Sequence, residues 1–253
     1  MAVERSTHAP ASGKRLAASL VHLLSFCTFA VAVFSSTSVK AEISSEIELK
    51  TDDRFRGRSR SDGKPVIDAD ISIDLASGIY AGGSATFILT GKDRSGLQGI
   101  DTYIGYAKRM NENVTVDVGV AGYRFTQRYS GNADDQYAEI YAGLSADGFA
   151  AYVHYTTNYF DKSVPVLYAD LNFTRTIGDD FTVKAHAGLL TQTSGPARLG
   201  GRATRYDTRL AVSRPMLGFE AELAWTYAGR KDVYFAGPWD GRSALIFSLA
   251  KHF

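Results

Sequence analysis

The sequence predicts an all-β protein: a transmembrane antiparallel β-barrel of about twelve strands, preceded by an N-terminal signal peptide. Three observations support this fold class. Apolar and polar residues alternate along many short segments, the connections between these segments are alternately short and long, and an apolar leader precedes them all. Because only helices and closed barrels satisfy every backbone hydrogen-bonding group in lipid, repeated amphipathic strands behind an export signal indicate a barrel.

The leader occupies residues 1–41. Two basic residues precede an apolar stretch from Leu16 to Phe34, and Val39-Lys40-Ala41 places small residues at a cleavage position. An uncleaved membrane anchor is the alternative, because the apolar stretch is nearly long enough to span a bilayer. We expect cleavage after Ala41, which leaves residues 42–253 as the barrel.

The composition excludes two classes of protein. The chain has 253 residues, a formal net charge of +1 and one cysteine, which lies in the leader. These values do not fit a strongly basic nucleic-acid-binding protein or a disulfide scaffold. The 14 tyrosines, 14 phenylalanines and 24 glycines favour a β-rich membrane protein, in which aromatic residues gather at the two interfaces.

The alternation is clearest between Ile67 and Leu75, where every second residue is apolar and the others are three aspartates and a serine. Since side chains along a strand point to opposite faces in turn, one face is apolar and the other carries carboxylates. Lipid outside and a watery or ion-paired interior account for both faces. The predicted strands are Ser45–Asp53, Val66–Ala76, Ile79–Ile88, Leu97–Met110, Val114–Phe125, Gln136–Ala146, Phe149–Asn158, Val166–Ile177, Phe181–Leu190, Thr204–Ser213, Gly218–Ala228 and Ser243–Phe253.

Every second connection between these strands is short. Outer-membrane barrels have short periplasmic turns and longer extracellular loops, whereas a soluble sandwich gives no reason for such a sequence of lengths. Since the first connection, Arg54–Pro65, is long, the N-terminus is expected on the periplasmic side. The short connections are Ser77-Gly78, Asn111–Asn113, Asp147-Gly148, Gly178–Asp180 and Arg214–Leu217.

Three motifs near the start of the barrel carry a family resemblance: Asp53-Arg54-Phe55-Arg56-Gly57, Ser61-Asp62-Gly63-Lys64-Pro65 and Ser77-Gly78-Ile79-Tyr80-Ala81-Gly82. Together they resemble the N-terminal signature of the TorF-type porins, a proteobacterial outer-membrane family formerly of unknown function. Arg58 and Arg60 depart from the apolar and amide residues expected there, but they keep the spacing. The resemblance implies an outer-membrane barrel and a pore, and it brings no catalytic or ligand-binding residues.

Charged side chains of both signs point into the predicted barrel. Unpaired charge in a narrow interior is costly, so these groups must be hydrated or paired. We therefore predict a passive channel for small hydrophilic solutes or ions, with a weak preference for cations and without a cofactor or metal. The predicted lining residues are Glu46, Glu48, Lys50, Asp68, Asp70, Asp74, Asp101, Asp117, Glu139, Asp170, Lys184, His186, Asp207, Arg209, Glu220 and Glu222.

Two other functions stay open. A barrel with a plugged lumen would have a structural or surface-interaction role. An outer-membrane lipid hydrolase or acyltransferase would need a base, and His154 and His186 are the histidines on predicted strands; no Gly-x-Ser-x-Gly motif accompanies them. Asp68 and Asp70, with the two aspartates before Arg54, are too unspecific a set to predict a Ca²⁺ site.

The first long connection is strongly basic. Arginine side chains pair bidentately with phosphate, and lipopolysaccharide supplies phosphates in the outer leaflet. The predicted partners are therefore outer-membrane lipid and lipopolysaccharide, small solutes, and the barrel-assembly machinery, which would read the terminal strand ending at Phe253. The predicted lipopolysaccharide contacts are Arg54, Arg56, Arg58, Arg60 and Lys64.

Overall fold

The protein is a closed antiparallel barrel of twelve strands, as predicted. The computed structural model describes residues 41–89, 96–126, 135–161, 163–195, 204–229 and 243–253. Among these residues, no helix is long and apolar enough to cross a membrane. The strands are β1 (Ala41–Lys50), β2 (Arg54–Phe55), β3 (Arg58–Ser59), β4 (Val66–Leu75), β5 (Ile79–Ile88), β6 (Gly96–Arg109), β7 (Val114–Phe125), β8 (Asp135–Ala146), β9 (Phe149–Thr156), β10 (Val166–Ile177), β11 (Phe181–Gln192), β12 (Thr204–Met216), β13 (Phe219–Ala228) and β14 (Ser243–His252).

The barrel closes where β1 pairs with β14. From β4 to β14 each strand pairs antiparallel with the next, and β1 also pairs with β4. The strands β2 and β3 form a separate two-stranded sheet. The predicted first strand, Ser45–Asp53, differs most from the structure, because β1 begins at Ala41 and ends at Lys50, where the chain bends inward. The leader up to residue 40 lies outside the described residues, so the signal peptide stays a prediction.

Tight turns connect neighbouring strands at one end of the barrel. Asp147 (φ 50°) and Gly148 (φ 84°) join β8 to β9, and Leu217 (φ 52°) and Gly218 (φ 80°) join β12 to β13. Positive φ at both central residues gives the turn whose twist matches that of the flanking strands. Position 148 also requires glycine for steric reasons, since a Cβ there would lie 2.6 Å from the Thr174 carbonyl oxygen. All the predicted short connections lie at this end.

The outer surface of the barrel is apolar. Ile71 is 59% exposed, and Val118, Leu210 and Phe247 are also exposed large apolar side chains on their strands. A protein surrounded by water would bury such residues, whereas a barrel in lipid presents them outward. The outward prediction for the apolar face that includes Ile71 is therefore confirmed.

The buried core lies inside the barrel, towards the long connections. Its largest members include Phe125, Tyr137, Tyr159 and Phe160, and Phe55 packs against them from the segment between β1 and β4. This segment, residues 51–65, contains β2 and β3, and we call it the inner hairpin. It folds into the lumen instead of projecting outward as a surface loop.

Candidate functional site

The inner hairpin is built by two glycine turns. Arg56 (φ 48°) and Gly57 (φ 74°) connect β2 to β3, and Asp62 (φ 60°) and Gly63 (φ 69°) turn the chain back towards β4. At the tip, a Cβ on Gly57 would lie 2.6 Å from that of Asp207 in β12, so only glycine lets the tip reach that strand. The hairpin thus crosses the lumen from β1 and β4 to the far side.

An ion-pair network holds the base of the hairpin. The Arg60 Nε donates to the Asp53 Oδ2 at 2.6 Å, and its Nη1 donates to the Asp101 Oδ2 in β6 at 3.1 Å. Gln98 donates a further hydrogen bond to Asp53 at 3.1 Å. Burial alone would raise the pKa of Asp53, but Arg60 and Lys50 outweigh burial and lower this pKa from the ordinary 3.8 to about 2. Asp53 is therefore charged at all physiological pH values.

A second pair holds the tip. The Arg56 Nη2 donates to both Glu139 carboxylate oxygens in β8, at 2.6 and 2.8 Å. Its guanidinium lies 4.2 Å from the ring centroid of Tyr168 in β10, a cation–π contact. Glu139 is 2% exposed, so its charge depends on Arg56 for compensation. Predicted lining residues Asp101 and Glu139 thus hold the hairpin.

The four arginines predicted to contact lipopolysaccharide are largely buried in the inner hairpin. Arg58 is 4% exposed, Arg60 is similarly buried, and Arg54 bonds to Asp52 and to the hairpin's own backbone. Arg56 and Arg60 point into the barrel, where carboxylates compensate their charge with hydrogen bonds. Lipopolysaccharide contact by the four arginines stays a prediction that their burial does not favour. Lys64 is partly exposed beside Asp62, and its contact stays a prediction.

A cavity of about 500 Å³ lies beside the inner hairpin. It is bounded by the hairpin on one side and by the inner faces of β1 and β9–β14 on the other. Charged and polar groups dominate this boundary. The predicted lining residues that border the cavity are Glu48, Lys50, Lys184, His186, Asp207, Arg209 and Glu222.

The most exposed charges of the cavity lie on β11 and β12. The Lys184 Nζ donates to Glu220 and to the Glu222 Oε2, at 2.9 Å each, and the Arg209 Nη2 donates to the Glu222 Oε1. The side chains of Lys184 and Arg209 are 35% and 36% exposed, whereas that of Glu222 is 9% exposed. We call the inner face of β11–β13 around these residues the charged wall.

The two candidate histidines face the lumen and contact oxygen atoms. The His186 Nε2 lies 2.9 Å from the Asp207 Oδ1 and its Nδ1 lies 2.7 Å from the Asn172 Oδ1. The His154 Nε2 lies 3.3 Å from the Asp170 Oδ2. Within the described part of the chain, neither ring contacts a serine, threonine or cysteine that it could activate as a nucleophile.

The opposite side of the lumen is filled by tyrosines, and we call this inner face of β5–β9 the tyrosine wall. The Tyr80 hydroxyl donates to Asp117 at 2.6 Å and also contacts that of Tyr141 at 2.6 Å, while Tyr152 donates to Asp117 at 2.9 Å. Tyr80 and Asp117 lie on strands that are not neighbours, so only the concave inner face brings them together. Asp117, a predicted lining residue, is thus enclosed by phenols.

These tyrosines lie over glycines of adjacent strands. A Cβ on Gly119 would lie 2.3 Å from the Tyr141 hydroxyl, and one on Gly143 would lie 2.3 Å from the Tyr152 ring. Glycine in a strand marks such close approaches, and the aromatic ring covers the exposed backbone. The sequence carries this signal as tyrosines and glycines at inward positions, which the pattern of charged residues alone does not reveal.

The remaining predicted lining residues form an acidic ladder on β1 and β4. In the strand register, Glu46 lies opposite Asp70, Glu48 opposite Asp68, and Asp74 opposite another glutamate. Like charges directly opposite one another repel. Lys50 compensates this negative charge only where β1 ends, because it contacts Asp68 and Glu48 there. Within the described residues, no group of three or more His, Cys, Asp or Glu is arranged to hold a metal ion.

A closed barrel with an apolar exterior and a polar, cavity-bearing interior defines a porin-like β-barrel. Similar solved structures include two porins, and only the first of these supports the fold. The NanC porin is 13% identical, with a TM-score of 0.55, 81% of this chain covered and 97% of that chain. The KdgM porin is 12% identical, with a TM-score of 0.49, 83% of this chain covered and 98% of that chain. These likenesses concern the fold.

The sequence itself places the protein in a family. The profile of Gcw_chp, described as a bacterial protein family of unknown function, matches residues 35–253, and the chain belongs to that family. No protein with curated function matches the sequence.

Proposed function

We propose that this protein is an outer-membrane channel of the TorF-type porins that lets small hydrophilic solutes or ions diffuse passively. The observation that carries this proposal is the polar cavity of about 500 Å³ inside a barrel with an apolar outer face. A barrel of eight strands is filled by its own side chains, whereas twelve strands enclose more space than the tyrosine wall and the inner hairpin occupy.

The inner hairpin determines the expected size of the channel. It crosses the lumen and packs its tip against Asp207, so the space that remains lies along β10–β14 and β1. A solute on this path meets charged side chains on the charged wall and the acidic ladder. We therefore propose a narrow channel with small unit conductance, in contrast to a wide general pore.

Single-channel recording in planar bilayers tests the proposal. The purified barrel is expected to give small, regular conductance steps. A variant in which residues 54–60 are replaced by glycine and serine at equal length should give steps several-fold larger, because the hairpin no longer crosses the lumen. An Arg214→Gln variant, which changes an exposed side chain near the tight turns, is the matched control and should conduct like the unmodified protein. Absence of steps from every variant would reject the channel.

A plugged barrel with a structural or surface-interaction role is the second candidate. The buried, ion-paired hairpin favours this role, because Arg56 attaches the hairpin to β8 and Arg60 attaches it to β6. The same recordings separate the two functions. A plugged barrel gives no conductance steps when unmodified and conducts only after the hairpin is replaced.

The predicted export and assembly partners belong to this proposal. Cleavage after Ala41 would appear in the intact mass of the protein from outer membranes. Recognition by the barrel-assembly machinery would be lost when Phe253 is deleted, and the protein would then fail to reach the heat-modifiable folded form. A lipid hydrolase or acyltransferase has less support, because His154 and His186 contact carboxylates inside the lumen.

A further inference from the structure

The two carboxylates of the charged wall that border the cavity, Glu222 and Asp207, accept hydrogen bonds on both of their oxygens. One carboxylate oxygen of Glu222 accepts from Arg209 and the other accepts from Lys184. The two oxygens of Asp207 accept from the Tyr168 hydroxyl, and one of them also contacts His186. Both carboxylates are buried behind the groups that they bind, so this wall presents little free acceptor capacity to the cavity.

The charged wall has, in contrast, more hydrogen-bond donors than its carboxylates accept. A guanidinium carries five N–H groups, yet among the described residues Arg209 uses only its Nη2, on Glu222. An ammonium carries three N–H groups, and Lys184 uses two acceptors, Glu220 and Glu222. Since each of these side chains is about one-third exposed towards the cavity, their remaining donors face it.

A buried hydroxyl beside Arg209 also lacks a partner. Thr226 in β13 lies directly opposite Arg209 in the strand register, and His186 lies opposite Arg209 on the other side. Thr226 borders the cavity and is 2% exposed, and its Oγ1 has no hydrogen-bond partner in the part of the chain that the structure describes. Buried polar groups are almost always satisfied, so an unsatisfied hydroxyl beside a cavity is a candidate contact for a solute.

We propose that Arg209, Lys184 and Thr226 bind the oxyanion group of a small organic anion, a carboxylate or a phosphate. This inference rests on the proposed function, since the solute reaches the cavity through the lumen. An oxyanion only accepts hydrogen bonds, and it therefore complements a wall whose acceptors are engaged and whose donors are free. The planar guanidinium favours such groups because it offers two parallel N–H donors. A cavity of about 500 Å³ accommodates a small metabolite.

The test is equilibrium binding to the purified, detergent-solubilised barrel, measured by dialysis with radiolabelled succinate and, separately, with inorganic phosphate. We expect saturable binding of at least one probe, and the stronger one identifies the class of oxyanion. Arg209→Gln should weaken binding about tenfold, because it removes the bidentate donor. Thr226→Val should weaken binding about threefold. Glu222→Gln should strengthen it, since Arg209 and Lys184 then lose their competing carboxylate.

Arg214→Gln is the matched control, because it removes one exposed guanidinium far from the cavity. Each variant is used only after gel mobility before and after heating shows a folded barrel. If Arg209→Gln does not fold, Thr226→Val and Glu222→Gln still give opposite predicted shifts. No saturable binding of either probe, or equal binding by the unmodified protein and all three cavity variants, overturns the site.

Failure of the site and failure of the channel are distinguishable. A barrel that conducts ions but binds neither probe overturns the oxyanion site and leaves the channel standing. A barrel that binds succinate or phosphate with the predicted mutational pattern but gives no conductance steps supports the site and rejects passive diffusion.

Discussion

The tyrosine wall and the charged wall are made by the same strand alternation, yet they leave different amounts of space. On the tyrosine wall, the rings of Tyr141 and Tyr152 lie over glycines, and Tyr80 and Tyr152 donate to Asp117 from different strands. On the charged wall, Lys184 and Arg209 both pair with Glu222 and border the cavity. The comparison shows that packed tyrosine rings fill the lumen on one side, whereas ion-paired side chains border a cavity on the other.

The inner hairpin joins the two walls. Its Arg56 bonds to Glu139 on β8, and its Gly57 packs against Asp207 on β12. The lumen is therefore divided into a packed side and a cavity side by one segment. Four predictions test the hairpin and the two walls, in order of decreasing expected effect.

Arg56→Ala should produce the largest effect, because it leaves the buried Glu139 charge without compensation. We expect the free energy of unfolding to fall by about 3–5 kcal/mol, measured by urea titration of the folded barrel in lipid vesicles. Arg214→Ala is the control: its pair with Asp180 is long, at 3.6 Å, and exposed, so the loss should stay below about 1 kcal/mol. Equal losses in the two variants would show that the hairpin does not depend on its buried ion pair.

Gly119→Ala should disturb the tyrosine wall. The new Cβ would lie 2.3 Å from the Tyr141 hydroxyl and 2.6 Å from the Ile104 carbonyl oxygen, and the backbone atom cannot move away cheaply. We expect a loss of up to about 3 kcal/mol in the same titration. Gly122→Ala, on the same strand, meets only a threonine hydroxyl at 3.1 Å and should cost much less. A smaller loss for Gly119→Ala than for Gly122→Ala would contradict the tyrosine packing.

Acidification should release the base of the hairpin. The pKa of Asp53 is lowered from 3.8 to about 2 in the folded protein, so its stabilisation is complete above pH 3.8 and disappears as the pH falls through about 2. The shift corresponds to about 2 kcal/mol. Conductance steps recorded at decreasing pH should enlarge within this window. Asp53→Asn should show enlarged steps at neutral pH, and unchanged steps in that variant would exclude Asp53 as the anchor.

The smallest effect concerns the turns that connect neighbouring strands within each wall. Asp147 on the tyrosine side and Leu217 on the charged side have the same positive φ, and Leu217 is the less suitable residue there. Leu217→Asn should stabilise the barrel by a few tenths of a kcal/mol, whereas Asp147→Leu should destabilise it by a similar amount. Thermal unfolding in detergent measures both changes, and a gain from Asp147→Leu would contradict the shared turn geometry.

Much of the barrel could be predicted from the sequence. Strands such as β5, β7 and β10 have the predicted bounds, because alternation and glycine turns are local properties of the chain. The inward direction of Asp117, Lys184 and Arg209 follows from the same alternation. The sequence predicts segment 54–65 as an extracellular loop because it is a long, basic connection. Arg56 and Arg60 instead pair with carboxylates on strands far along the chain, and no local pattern encodes that pairing.

The sequence by itself determined the strand count, the order of short and long connections, and the apolar and polar faces, since each depends on residues close together in the chain. Only the tertiary structure decided how the lumen is filled. The position of the inner hairpin, the tyrosines over glycines and the unsatisfied donors near Arg209 depend on distances between strands such as β1, β8 and β12. Those distances exist only once the barrel has closed, because closure brings non-neighbouring inner faces within hydrogen-bond reach.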